Sequence, residues 1–283
     1  MQDYKLPPRK QNSNKGTFGK VLNICGSRDY IGAAYLATVS SLKIGAGFSA
    51  LYSTPDVIRS VSALLPEAVY YRKLPDFDMF STVLIGCGLG NQVGLFKKVI
   101  KKLKDKTIPV VIDADGLNIL SKIDKRTFSK LLTPHPNPLL KERGTQLIIT
   151  PHPLEAARLL GCGLDDVLND LEGSAQRLTQ KYNCVTVLKT HRTIICFKDK
   201  IFINQYGNSA LAKAGSGDVL AGIIAGLLAQ GMDVYEAARL GVYLHSRAGE
   251  IASEELTEYC VLASDIPKYL HKAVKELIER GEL

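Results

Sequence analysis

VLNICGSRDYIGAAYLATVSSLKIGAGFSALYS, residues 21–53, decides the architecture. It opens on a continuous apolar run, VLNIC (21–25), and turns at glycine. It continues as a helix over 32–47, GAAYLATVSSLKIGAG, ending at glycine, and returns in a second apolar run, FSALYS (48–53). Apolar runs without polar alternation are strands covered on both faces, and two of them joined by a helix form a parallel βαβ unit. The same rhythm runs outward from this unit. A helix within 55–65 precedes the strand TVLIGC (82–87) and a helix at 92–104. IPVVIDA (108–114) is a strand before the short helix GLNILSKI, and QLIIT (146–150) a strand before a helix at 153–161. A helix at 170–182 leads to VTVLK (185–189), a hairpin of TIICF (193–197) and KIFIN (200–204), and helices near 217–230, 234–254 and 263–281. The pattern predicts an α/β protein with a mostly parallel central sheet and helices on both faces.

No linker or shift in composition divides the chain, so residues 1–283 read as a single domain behind a polar segment, 1–14. One stretch breaks the rhythm. LLTPHPNPLLKERG (131–144) carries three prolines and reads as a surface loop or insertion. Its TPHP, Thr133–Pro136, recurs at Thr150–Pro153, but only the second copy follows a strand and opens a helix. The first, with His135, reads as a solvent-exposed decoy.

Composition narrows the class. With 46% hydrophobic residues, 283 residues suffice for a sizeable core. No apolar run reaches the ~18 residues of a membrane span. The N-terminus, MQDYKLPPRKQNSNKG, has no apolar centre and is no secretory signal. A cytoplasmic protein without a membrane partner is expected. Six cysteines, at 25, 87, 162, 184, 196 and 260, form no CxxC pair and mostly sit in apolar runs. They read as buried reduced thiols rather than a zinc or disulfide framework. The net charge is +8, but its densest run, KKVIKKLKDK (97–106), shares an amphipathic helix with Val99, Ile100 and Leu103. That is a solvated helix face, not a nucleic-acid surface, though the surplus charge suits an anionic substrate.

NSALAKAGSGDVLAGIIAGLLAQG, Asn208–Gly231, carries the chemistry. Glycines 215 and 217 bracket Ser216, Asp218 follows at once, and a helix begins there. A glycine-led helix start offers free N–H groups and a partial positive charge to an anion. A carboxylate beside that anion makes sense as a base for a hydroxyl attacking phosphate; the plainer reading is a helix cap. Four more motifs fall at carboxyl ends of strands, where ligands of doubly wound sheets collect. They are GSRDYIGAA after 21–25, GCGLG (86–90), DADGLN (113–118) and TPHPLE (150–155). GCGLG alone lacks the spacing of a dinucleotide fingerprint. Asp113 and Asp115 read equally well as site residues or as turn and capping residues.

In this order and combination, KGTFGKVLNICGS, GCGLG, IDADGLNIL, ITPHPLEAARLLG, VLKTHRT, AGSGDVLAGIIAGLLAQG and GVYLHSRAGEIA resemble the ADP/ATP-dependent NAD(P)H-hydrate dehydratases of the ribokinase-like superfamily. The resemblance runs from about Lys15 to Asp265. It implies a ribokinase-like three-layer sandwich and a repair activity on NADH or NADPH carrying added water on the nicotinamide ring. ADP or ATP would phosphorylate the C6 hydroxyl, converting a poor leaving group into a good one, and elimination of phosphate would restore the ring. Magnesium, a homotetramer and a separately encoded epimerase are implied with it.

Carried over residue by residue, the resemblance makes Asp218 the base and Gly215, Ser216 and Gly217, with Ala214, the anion hole. Ala33, Ala34, Gly88 and His152 would contact the hydrate. Lys189, Thr190, His191, Arg192 and Thr193, with Asn208, Ser209, Ala210, Leu211, Ala212 and Lys213, would line the nucleotide. Glu155 would organise magnesium through water. The plainer readings are a loop histidine packed on a helix start for His152 and a first-turn acid favoured by the helix dipole for Glu155. The sequence departs from the family at Cys87, where proline is usual, and at Thr190, His191 and Arg192, where small residues and glycine are usual. The stretch 131–144 is extra. A small-molecule kinase of the same superfamily and a nucleotide-sensing protein without catalysis are the rival readings.

Overall fold

The computed structural model describes residues 4–103, 106–123 and 146–281. The expected loop at 131–144, with its TPHP and His135, lies outside them. Nine strands form one sheet: β1 (Lys20–Ile24), β2 (Phe48–Tyr52), β3 (Val69–Tyr71), β4 (Thr82–Ile85), β5 (Val110–Ile112), β6 (Leu147–Ile149), β7 (Val185–Leu188), β8 (Ile194–Phe197) and β9 (Lys200–Ile203). Their order is β3-β2-β1-β4-β5-β6-β7-β8-β9. From β3 to β7 every pairing is parallel, and β8 and β9 add the expected antiparallel hairpin. The order reverses at β1, so the crevice beyond β1 and β4 is the switch point at which such sheets bind ligands.

Successive strand residues point to opposite faces, which gives the sheet two cores. Val21, Leu84, Val111 and Ile148 pack on one side against α1 (Ile31–Lys43), α2 (Pro55–Ser62), α8 (Ser216–Ala229), α9 (Val234–Cys260) and α10 (Ile266–Glu279). Leu22, Val83, Ile112 and Ile149 pack on the other against α3 (Val93–Leu103), α4 (Asp115–Leu120), α5 (Pro153–Leu160), α6 (Leu164–Asn169) and α7 (Leu171–Tyr182). The result is the three-layer sandwich that the alternation implied.

Two elements are additional to the sequence reading. β3 is three residues at the sheet edge with no buried side chain, and α6 buries only Val167, so neither is long enough to show a period. α9 also runs past the expected 254, with a break at Thr257 (φ 64°) before its last residues.

α8 sits against α1 with almost no side chain between them. A Cβ on Gly222 would lie 2.3 Å from the carbonyl oxygen of Ala37. One on Gly226 would lie 2.3 Å from Ile44 Cγ2 and 2.7 Å from the Ser41 carbonyl. Only glycine permits that approach.

Candidate active site

The first turn of α8 is held open. Gly215 precedes it in the left-handed region (φ 91°), and no side chain caps the helix. A Cβ on Gly215 would stand 2.5 Å from Leu36 Cδ1, so both conformation and space call for glycine. Ser216 Oγ lies 3.1 Å from His245 Nε2, both residues buried. Burial drives His245 down to about 4, so the ring is neutral beside Ser216.

Asp218, the third residue of α8, turns its carboxyl toward the ends of β4 and β5. Burial, with the charge of Asp113 added, raises it to about 7, while Cys87 and Lys189 pull it back. Asp113 follows β5 and is buried; its Oδ1 accepts from Lys189 Nζ at 2.7 Å, and its Oδ2 faces Cys87 Sγ at 3.8 Å. Burial alone would lower Lys189, but Asp113 and Glu155 outweigh it and keep the lysine cationic. Ala114 next to it adopts φ 48°, ψ −119°, a strained geometry for a residue with a Cβ and one that collects at functional sites. Asp115 Oδ2 accepts from Gly90 N at 2.8 Å, tying the GCGLG turn to α4.

α5 begins differently. His152 Nδ1 accepts from the N–H groups of Leu154 (3.2 Å) and Glu155 (3.4 Å), and Glu155 Oε2 accepts from the N–H of His152 at 2.8 Å. This is a reciprocal capping box. Burial and then Lys189 hold His152 below its ordinary value, so Nδ1 is free to accept. Buried Glu155 is pushed up to about 7 by desolvation, against the pull of Lys189.

These groups converge on one cavity of about 830 Å³. His152, Glu155, Lys189, Thr190, His191 and Thr193 line it from the β6 and β7 side. Asn208, Ser209, Leu211, Ala212, Lys213, Gly215, Ser216, Gly217 and Asp218 line it from the other. Gly88, next to Cys87, meets Ala33 of α1: a Cβ on Gly88 would be 2.7 Å from that of Ala33.

Six expected residues do not line the cavity: Ala33, Ala34, Gly88, Arg192, Ala210 and Ala214. Ala34 and Ala210 are buried and Ala214 is exposed. Arg192 turns outward to the carbonyl and side chain of Gln205 at 2.6 and 2.8 Å. Ala114, Tyr206 and His245 line the cavity without having been given a role from sequence, and Asp113, left open between site and turn residue, lines it as well. Asp113 is legible in retrospect: β5 and β7 flank β6, so residues ending them face one another. His245, on α9, had no local signal.

The sheet order, the crevice at its carboxyl edge and the open, acid-bearing helix define the ribokinase-like class of α/β proteins. A ribokinase-like superfamily protein of Enterococcus faecalis is similar throughout, with a TM-score of 0.80 at 28% identity over 96% of this chain and 92% of that one. The family model described as NAD(P)H-hydrate dehydratase matches residues 21–272, and the chain belongs to that family. The ADP-dependent (S)-NAD(P)H-hydrate dehydratase of Neisseria meningitidis is 36% identical over 87% of this chain and 81% of its own length. The ADP/ATP-dependent NAD(P)H-hydrate dehydratase of Bacillus subtilis, co-crystallized with ATP/Mg2+, superposes with a TM-score of 0.80 at 29% identity, covering 96% of this chain and 94% of that one. The chain spans about half the length of the bifunctional NAD(P)H-hydrate repair enzymes it also matches.

Proposed function

We propose that this chain repairs hydrated NADH and NADPH by nucleotide-dependent dehydration. The observation that carries the reading is the Asp218 carboxyl beside the uncapped start of α8, in one cavity with His152 and Lys189. A carboxyl tuned to about 7 suits proton removal near neutrality. Asp218 takes the proton of the C6 hydroxyl, whose oxygen attacks the terminal phosphorus of ADP or ATP. The N–H groups at Gly215–Gly217 receive the transferred charge. The ring nitrogen then expels phosphate from C6, and loss of the C5 proton restores the double bond. Among the two nucleotides, ADP is the proposed donor, as in the name of the Neisseria relative.

His152, neutral and fixed by its own helix, is placed to contact the hydrate, as are Gly88 and Ala33. Asn208–Lys213 and Lys189–Thr193, Arg192 excepted, form the nucleotide wall. The Glu155 carboxyl in the cavity lining suits magnesium, a hard cation that keeps waters and binds through phosphates. Glu155 would hold it through water and the ion would neutralise phosphate charge. A homotetramer and a functionally linked epimerase activity complete the proposal. Among the described residues no helix is long and apolar enough to cross a membrane, in keeping with the proposed cytoplasmic site of action.

The test is the recovery of reduced-nicotinamide absorbance from purified NADH hydrate with magnesium and ADP or ATP. A nucleotide-dependent rise, absent in Asp218→Asn, supports the reading. Nucleotide binding with no rise overturns it, and a stable phosphate ester among screened alcohols would then identify a kinase.

A further inference from the structure

Cys87 stands where the family's proline is usual, and the fold turns that departure into a donor. Its sulfur lies beneath the two carboxyls of the cavity. Cys87 Sγ, an Asp113 oxygen and an Asp218 oxygen are all within 4.8 Å of one another. Three atoms so spaced share a centre no more than roughly 2.8 Å from each, and small side-chain rotations close that to the ~2.3 Å and ~2.0–2.2 Å of zinc–sulfur and zinc–oxygen bonds. A second sulfur adjoins the first: the Cys25 thiol contacts that of Cys87, and the adjacent Gly26 N–H donates to the Cys87 carbonyl at 2.8 Å.

Charge points the same way. Lys189 pairs with Asp113 through Oδ1, leaving Oδ2 toward the sulfur. Among the described residues no lysine, arginine or histidine forms an ion pair with Asp218. Two carboxylates and a thiolate carry three negative charges, and Lys189 supplies one positive charge. A divalent cation brings the cluster to neutrality.

We propose that Cys87, Asp113 and Asp218 form a binding site for a thiophilic divalent cation, zinc or cadmium, whose occupation blocks the reaction. The ion enters from the cavity, which Asp113 and Asp218 line, and passes between them to the fully buried Cys87 sulfur. The Cys87 thiol releases its proton to solvent as the metal–sulfur bond forms, and a cavity water completes a tetrahedral set. The block rests on Asp218 being the base; the binding does not. Absence of a CxxC spacing concealed the site, because its ligands come from the ends of β4 and β5 and the start of α8.

The experiment is titration of the reduced, metal-free protein with cadmium, read by the ultraviolet thiolate-to-metal charge-transfer band and, with zinc, by calorimetry. Cys162→Ala and Cys260→Ala are introduced together as the background, which removes the thiols outside the core. One tight equivalent with a charge-transfer band is expected. Cys87→Ala in that background should weaken it about a hundredfold and remove the band, with a thermal melt confirming that the variant is folded. An unchanged first equivalent in Cys87→Ala, or no tight equivalent in the background protein, overturns the site. Zinc inhibition, measured relative to each variant's own turnover, is expected only where Cys87 is present. A bound metal without inhibition removes the block while leaving the site. If no variant turns over any hydrate, the proposed function fails and the band still decides the binding.

Discussion

Two helices start in the same cavity and treat their free N–H groups in opposite ways. α5 consumes its own: His152 and Glu155 cap each other's backbone and leave a finished surface. α8 spends no side chain on its start; Gly215 turns the chain, and Asp218, in a position that commonly caps, points elsewhere. The closed start fixes a neutral histidine in place. The open one keeps its partial positive charge for a ligand. A helix terminus is therefore a binding element only when the sequence declines to cap it, and the two starts differ in that one respect more than in composition.

The largest expected effect breaks the open end. Asp218→Asn should lower turnover about a thousandfold, within the range of general-base catalysis, with nucleotide affinity kept within a few-fold; single-turnover kinetics beside nucleotide titration measure both. Next is the support behind Ser216. His245 titrates at about 4 in the fold against an ordinary 6.5. Between those values the unfolded chain binds a proton the folded chain refuses, so stability falls as pH drops through the window, by about 3 kcal/mol in all. His245→Gln should flatten that dependence, read from urea midpoints at pH 7 and pH 4.5. A steeper slope in the variant would mean that other groups dominate the acid limb.

Gly222→Ala tests the seat of the open helix rather than its tip. The new methyl meets the Ala37 carbonyl at 2.3 Å and should cost about 2 kcal/mol by overpacking, seen as a lower thermal midpoint. The smallest effect sharpens the closed end. His152→Ala should destabilise by about 1 kcal/mol as a lost cap, while His152→Asn, which restores a capping acceptor, should recover most of that. Hydrate affinity should fall in both, separating the cap from the contact.

Much of this was legible from residues 21–53 and 208–231, because strand burial and glycine placement are local signals. The fold class, the hairpin, Asp218 and the TPHPLE helix start follow from them. What was hidden needed distance. Asp113 and Lys189 are 76 residues apart and meet because the sheet order sets the ends of β5 and β7 on either side of β6. His245 reaches Ser216 from another helix, 29 residues on. Arg192 looked like part of the nucleotide wall until Gln205 drew it outward, a choice of direction that no spacing encodes. β3 and α6 were too short to carry a period.

The glycine contact between α1 and α8 has a mechanical meaning. α1 brings Ala33 against Gly88 and α8 brings Asp218 to the cavity wall, and where they cross, backbone rests on backbone. Long side chains can change rotamer and let two helices slide; a carbonyl set against a Cα cannot. The two helices should move as a single strut, so thermal motion would carry the two groups together and leave the gap between them nearly constant. The protein would thereby keep its reach without needing a closing lid to set it.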